Sequence, residues 1–589
     1  MLTRLLFLLL ALALPLHAAD QPAWIARSND NARLYLESLA KFSPEFAGDL
    51  GLTGYDELTV DLGPNFQERT RSATTIVRGQ LAKRLAVETD PLVRQDLEIL
   101  IAAANDSIES SLLNQNLTLP YLDLGELVFR GEFNLLQDQV DPARRPAALA
   151  RLRRYTGLID DTTPITDLAR ARFTEALADS SRLAPYKAEV EQHLANAPRF
   201  ITGLRELFTH YELTQLDGAA AALDAFEKQL TAYHDWVRAE ILPRARDDFR
   251  LPRELYADNL KNVGLDIAPE DLIEKAQIAY AEIRNEMQTI AALVAKEKNF
   301  PDPDYRAVIR ELKKAQLTRD AVEPFYHDVI ARIEEIIRRE HIVALPSRPM
   351  LMRLASEAEN AASPAPHMDP PPLIGNKGER GTFVLTTGNP PTDDSAASDT
   401  YDDFTFEAAA WTLTAHEGRP GHELQFTAMV ERGVSQARSI FAFNSVNVEG
   451  WALYAEAELK PFEPLEGQLI ALQFRLLRAA RAFLDPMLHL DRISKERAFE
   501  ILTQEVGLSG AMARQEVDRY TFRAPGQATS YFYGYLRLME LRAATEIALG
   551  SQFDRQAFND FILGQGLLPP DLLAKAVQDE FIPAHTSKN

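Results

Sequence analysis

The stretch His416-Glu417-Gly418-Arg419-Pro420-Gly421-His422 constrains this chain more than any other. Two imidazoles are set around a Glu that directly follows the first of them. A second acidic segment, Val448-Glu449-Gly450-Trp451-Ala452-Leu453-Tyr454-Ala455-Glu456, comes about one helix later. Two His, an adjacent Glu and a downstream Glu are the parts of a zinc hydrolase site. Imidazole and carboxylate bind a borderline-soft dication, an open position holds water, and the spare Glu takes a proton. The six-residue separation of the two His forbids an unbroken helix between them. At ~100° and ~1.5 Å per residue, such sites lie roughly 120° and about 9 Å apart. Imidazoles that share one ion must be much closer than that. Pro420, Gly418 and Gly421 suit an interruption, and the spacing predicts two extra residues bulging out so that His422 returns beside His416.

Most of the rest reads as helix. Apolar residues recur at three- and four-residue intervals over Leu97 to Leu112, Ala148 to Leu158, Pro185 to Phe208, Ala219 to Ile241, Pro269 to Ala295 and Thr318 to Arg339. Ala268-Pro269-Glu270-Asp271 is a helix start, with Pro and acids in the first turn. Between about residues 340 and 400 the prolines, including Pro370-Pro371-Pro372, exclude long helices. Here Gly381-Thr382-Phe383-Val384-Leu385-Thr386-Thr387 is the best strand, followed by a Gly-Asn-Pro turn signal. It is expected either at a sheet edge, pairing with an extended substrate, or in a small structural sheet. After Leu465 the pattern is helical again. Arg478, Arg481, Asp485 and His489 share a face, and Pro486 is expected to kink or end that helix.

The chain begins with Met1-Leu2-Thr3-Arg4, an apolar run from Leu5 to Leu16, and small residues at Ala18-Ala19. This predicts a signal peptide over 1–19, and a periplasmic or secreted protein without stable membrane insertion after cleavage. There is no Cys among the 589 residues, so disulfides, thiolate nucleophiles and Cys-bound metals are excluded. A net charge of −23 argues against nucleic acid and anionic membrane surfaces as partners.

Three words of the sequence carry a family resemblance: His-Glu-Gly-x-Pro-Gly-His-x-x-Gln (His416 to Gln425), Glu-Gly-Trp-Ala-Leu-Tyr-Ala-Glu (Glu449 to Glu456) and Pro-Gly-Gln-Ala-x-x-Tyr-x-x-Gly (Pro525 to Gly534). Pro44, Gly51, Tyr55 and the Thr382 to Thr387 strand fit as well. The chain resembles the bacterial domain-of-unknown-function 885 family, grouped with gluzincin-like zinc metallopeptidases, and is more distantly similar to thimet-type oligopeptidases. The resemblance implies a mostly α fold with a long N-terminal helical region (20–265), a catalytic region (266–589, metal motifs 416–456) and a small β element near the active site. It makes His416, His422 and Glu449 the zinc ligands. Glu417 becomes the general base that deprotonates the attacking water.

Other roles are less tightly drawn. Glu456, seven residues after Glu449, either holds a ligand imidazole from behind or forms a buried ion pair. Tyr531 is the candidate donor to the tetrahedral oxyanion, with Tyr533, Tyr535 and His489 as competitors. Arg523 either binds a substrate's C-terminal carboxylate or makes a structural salt bridge. The expected activity is hydrolysis of peptide bonds, with a peptide or small amide as substrate. The alternatives are a zinc amidohydrolase or esterase and a non-catalytic metal- or peptide-binding protein; binding alone needs no base beside the ligands.

Overall fold

The structure is a computed structural model that describes residues 22–387 and 401–586. The expected signal peptide, the Gly-Asn-Pro turn after the strand and the last three residues lie outside the described residues. The fold is mostly helical, with a small three-stranded sheet.

The amphipathic segments form the expected helices, among them Pro91–Leu117, Lys187–His210, Ala219–Trp236 and Arg319–Arg339. Side-chain caps fix several starts: Asp90 accepts from the Leu92 and Val93 amides ahead of Pro91, and Ser356 with Glu359 makes a reciprocal capping box. The 30-residue helix Pro269–Lys298 opens with Pro269, Glu270 and Asp271, and ends at Asn299 in a left-handed conformation. Its stripe of Leu272, Ala276, Tyr280, Ile283, Met287 and Val294 packs along helix Leu465–His489. That second helix runs through Pro486 and ends in the turn that follows it, at His489, so it does not stop at Pro486 itself.

Two large apolar cores organise the molecule. One is built from residues between Leu62 and Ile241, including Leu152, Phe173 and Phe226. The other extends mainly from Phe249 to Phe581 and surrounds the metal motifs. A smaller cluster (Tyr35, Leu81, Leu97, Leu100) packs the first helices onto Ala437. Next to it the fully buried Asp96 accepts from Ser28 Oγ (2.6 Å), Ser435 Oγ (2.6 Å) and Arg438 Nε (2.8 Å). This satisfied polar knot ties the N-terminal helices to the segment between the two metal motifs.

The sheet has the order β1 (Leu351–Leu354), β3 (Thr382–Leu385), β2 (His367–Asp369). β3 pairs in parallel with β1 and antiparallel with β2, and all four of its residues are buried. The expected strand exists, but it is the central one. Both of its edges are taken, which corrects the reading of Thr382–Thr387 as a substrate-pairing edge. The short edge strand β2 is the one beside the site.

Candidate metal centre and cleft

His416 and Glu417 end helix Ala409–Glu417, and His422 starts helix His422–Arg432. The break is therefore a change of helix between the two imidazoles, and not the two-residue bulge within one helix that the spacing suggested. Gly421 is required by close approach: a Cβ there would lie 1.9 Å from the His416 carbonyl oxygen and 2.4 Å from that of Ala415. The connection is pinned from outside. Trp451 Nε1 donates to the Pro420 carbonyl (3.0 Å), and the Arg419 guanidinium donates to Glu423 (2.6 Å) and Glu334 (2.8 Å).

Glu449 comes from helix Ser445–Leu459, which crosses helix Ser530–Leu549 in backbone contact. A Cβ on Gly450 would sit 2.5 Å from the Gly534 carbonyl carbon, and one on Gly534 would sit 1.9 Å from the Val446 carbonyl oxygen. These two glycines let the Glu449 and Tyr531 helices meet closely enough for both side chains to reach one cavity.

Among the described residues, His416, His422 and Glu449 form the only His/carboxylate triad whose ligand atoms all lie within 4.8 Å of one another. Glu449 Oε2 is 3.5 Å from His416 Nε2 and 3.3 Å from His422 Nε2. That oxygen is buried and accepts no hydrogen bond, while Gln527 Nε2 approaches Oε1 at 3.3 Å. Two converging imidazole nitrogens and a free carboxylate oxygen fit a four-coordinate dication with one open position. Burial alone would push the Glu449 carboxyl up. The facing imidazoles outweigh it and hold the group well below the usual carboxylate range.

His416 is oriented from behind: its Nδ1 is 2.6 Å from Glu456 Oε1, and Glu456 Oε2 accepts from Thr412 Oγ1 at 2.8 Å. Arg478 Nη2 is 3.4 Å from the same Oε1, so Glu456 both holds the imidazole and faces a buried guanidinium. His422 Nδ1 is buried with no such partner. Glu417 is almost fully buried, and burial pushes its carboxyl up to about 8 against the pull of His422.

Of the three tyrosines, only Tyr531 lines the cavity. Its ring lies parallel to that of His416, with centroids 6.1 Å apart, and its hydroxyl accepts from Arg519 Nη2 at 2.7 Å. That acceptance leaves the phenolic hydrogen free to donate. Tyr533 instead donates to Asp266 and accepts from Arg537, and Tyr535 packs near Arg475. The candidacy of His489 is corrected. Its Nε2 bonds the Tyr520 carbonyl (2.9 Å), its Nδ1 accepts from the Leu251 amide (3.4 Å), and its ring stacks on Tyr256 outside the cavity. Arg523 lines the cavity, and no salt bridge of the expected structural kind is formed among the described residues.

The cavity has a volume of about 490 Å³. It is also lined by Pro364 to Met368, which leads into β2, and by Phe426 and the 57 % exposed Phe443. Reading the sequence missed Arg519, Gln527 and this wall. Gln527 stands inside the third motif, of which only Tyr531 and Tyr533 were candidates for a role.

A family model described as "Bacterial protein of unknown function (DUF885)" matches residues 44–577, and the chain belongs to this family. The fold is similar to that of a "putative lipoprotein" from Colwellia psychrerythraea, with a TM-score of 0.76 and 18% identity over 95% of this chain and 99% of the other. It is also similar to a "putative lipoprotein of unknown function" from Shewanella oneidensis, with a TM-score of 0.70 and 20% identity over 94% of this chain and 100% of the other. No curated protein matches the chain.

Proposed function

We propose that the protein is an exported, gluzincin-like zinc peptidase acting on short peptides. The observation that carries the reading is the convergence of His416, His422 and Glu449 in one cavity that Glu417 and Tyr531 also line. A dication held by the triad supplies Lewis acidity, polarising an amide carbonyl and acidifying water. Glu417, adjacent in sequence to a ligand and lining the same space, would be kept ionised by the charge of a dication in the triad, and so accepts the attacking water's proton and passes it to the leaving amine. Tyr531 donates its free hydrogen to the oxygen on which negative charge develops, and the Arg519 guanidinium on the phenol strengthens that donor. The ligand set of two imidazoles and one carboxylate, with no thiolate, favours zinc over harder ions.

A second cavity of about 380 Å³ shares Ala362, Ser363, His367 and Pro370 with the first. The combined space suits an extended chain better than a compact substrate. The basic and apolar start of the sequence supports export, as do the two similar structures whose names call them lipoproteins.

The test is Glu417→Gln, which keeps size and reach but cannot accept a proton. Hydrolysis of a peptide library, read by mass spectrometry, should fall at least ~10²-fold, while elemental analysis still finds one zinc per chain. Near-normal turnover in the zinc-loaded variant excludes this mechanism.

A further inference from the structure

Arg523 is the cationic group of the cleft that the mechanism above does not use. The other guanidiniums around the site are committed. Arg481 forms a bidentate pair with Glu516 at 2.7 and 2.6 Å, and Arg519 holds Gln527 and the Tyr531 hydroxyl. Arg478 turns Nη2 to Glu456, and although its Nε and Nη1 lack partners it does not line the cavity. Arg523, at the end of the wide turn Arg519–Arg523 that extends helix Gly510–Asp518, makes no ion pair or hydrogen bond among the described residues. Its Nε is buried without a partner, and its side chain lines the metal cavity. The carboxylates of Asp518, Glu126 and Asp123 act on it only through space. Burial disfavours its charge all the same. A guanidinium left unpaired in a partly buried site is costly unless an anion completes it. Its planar fork matches a carboxylate in two-point geometry.

The position argues for which carboxylate. Arg523 follows Gln515 and Arg519 at four-residue steps, with Glu516 beside them, along one wall of the cavity that also contains the triad, Glu417 and Tyr531. Arg523 and the triad line one cavity of about 490 Å³, so a carboxylate bound at Arg523 shares that cavity with the triad. We propose that Arg523 anchors the C-terminal carboxylate of the substrate, so that the site removes residues from the carboxyl end of short peptides. This rests on the peptidase reading above and names its substrate class. Arg523 is then a specificity-determining residue with no part in the proton transfers.

The experiment measures calorimetric binding to the zinc-loaded Glu417→Gln protein, using three short peptides of one sequence. The first ends in a free acid, the second in an amide, and the third is the amide with Glu as its last residue. The acid should bind about 10- to 100-fold more tightly than the amide, the range of a charge-assisted pair. The Glu side chain should not recover the gain. Adding Arg523→Gln should bring the acid-to-amide ratio close to one, and Arg523→Lys should retain part of it. Equal binding of acid and amide, binding of none of the three, or full recovery by the Glu side chain overturns the assignment. If Arg523→Gln does not fold, the ratio in the parent protein decides. Turnover is read separately: wild-type protein that shows the preference but cleaves no peptide sinks the peptidase reading and leaves the carboxylate site standing.

Discussion

Replacing Glu456 by Gln separates a carboxylate that tunes the metal site from one that merely pairs a buried arginine. Gln keeps the size and one acceptor oxygen, so the loss is charge. At His416 the 2.6 Å contact from Nδ1 changes from a charge-assisted hydrogen bond to a neutral one, roughly half as strong. The imidazole becomes a poorer and less firmly oriented donor. Losing such a partner typically weakens metal binding ~10- to 100-fold, or about 1.4–2.7 kcal/mol. At Arg478, whose Nε and Nη1 are already buried without partners, the facing carboxylate at 3.4 Å disappears. An uncompensated buried charge costs about 3–5 kcal/mol of stability. The variant should therefore lose both thermal stability and zinc affinity, the latter measured on folded protein by competition with a fluorescent chelator. A Glu456→Gln/Arg478→Gln double variant should regain much of the stability and none of the affinity. Wild-type zinc affinity in the single variant, with only thermal stability lost, would refute the orienting role.

Tyr531→Phe should lower kcat roughly 10²-fold with KM and zinc content little changed, because one oxyanion donor is worth about 3 kcal/mol; steady-state kinetics with unchanged kcat would remove Tyr531 from the mechanism. Gly534→Ala drives a Cβ to 1.9 Å from the Val446 carbonyl oxygen, so the two helices must part. A loss of about 3 kcal/mol in denaturant unfolding, together with weakened zinc binding as Glu449 shifts, is expected, and wild-type stability contradicts the close approach. Asp485, fully buried between the Tyr256 hydroxyl and the Gly526 amide, is pushed by burial up to about 7. Its folded pKa lies above the unfolded one, so its contribution is most favourable at low pH and is lost as pH rises toward 7. Asp485→Asn should gain on wild type by roughly 2–3 kcal/mol between pH 5 and 8, and a pH-independent difference in unfolding free energy would reject this.

The helices that were easiest to read in the sequence contribute least to the site. Pro269–Lys298 and Arg319–Arg339 show their apolar stripes because one face meets solvent. Ala409–Glu417 and most of Ser445–Leu459 are buried on all sides and have no stripe, so only their chemistry-bearing residues located them. His416, His422, Glu449 and Tyr531 were legible because their types and spacings match a reaction. Gln527 and Arg519 were not, because their roles depend on a turn at Pro525-Gly526 that brings Gln527 onto a helix 78 residues earlier, a contact no local pattern encodes. The strand was legible and its place in the sheet was not: β2 is three residues long and flanked by prolines, too short to announce that β3 has a second neighbour.

Burial on all sides also explains why most of the site residues are joined in a network. A polar group inside such helices must find its partner within the protein. Glu456 therefore takes His416 and Thr412, Gln527 takes Glu449 and Arg519, and Arg519 takes Tyr531. The network leaves exceptions, among them His422 Nδ1 and Arg478 Nε and Nη1, and two further ones belong to groups of opposite charge. Glu449 Oε2 and Arg523 Nε are buried in the wall of one cavity and have no hydrogen-bond partner. One is an anionic oxygen facing two imidazole nitrogens, and the other is a cation with its fork free. They call for ligands of opposite charge, a dication and a carboxylate. The proposed zinc ion would meet the first demand, and the C-terminal carboxylate of the proposed peptide substrate the second.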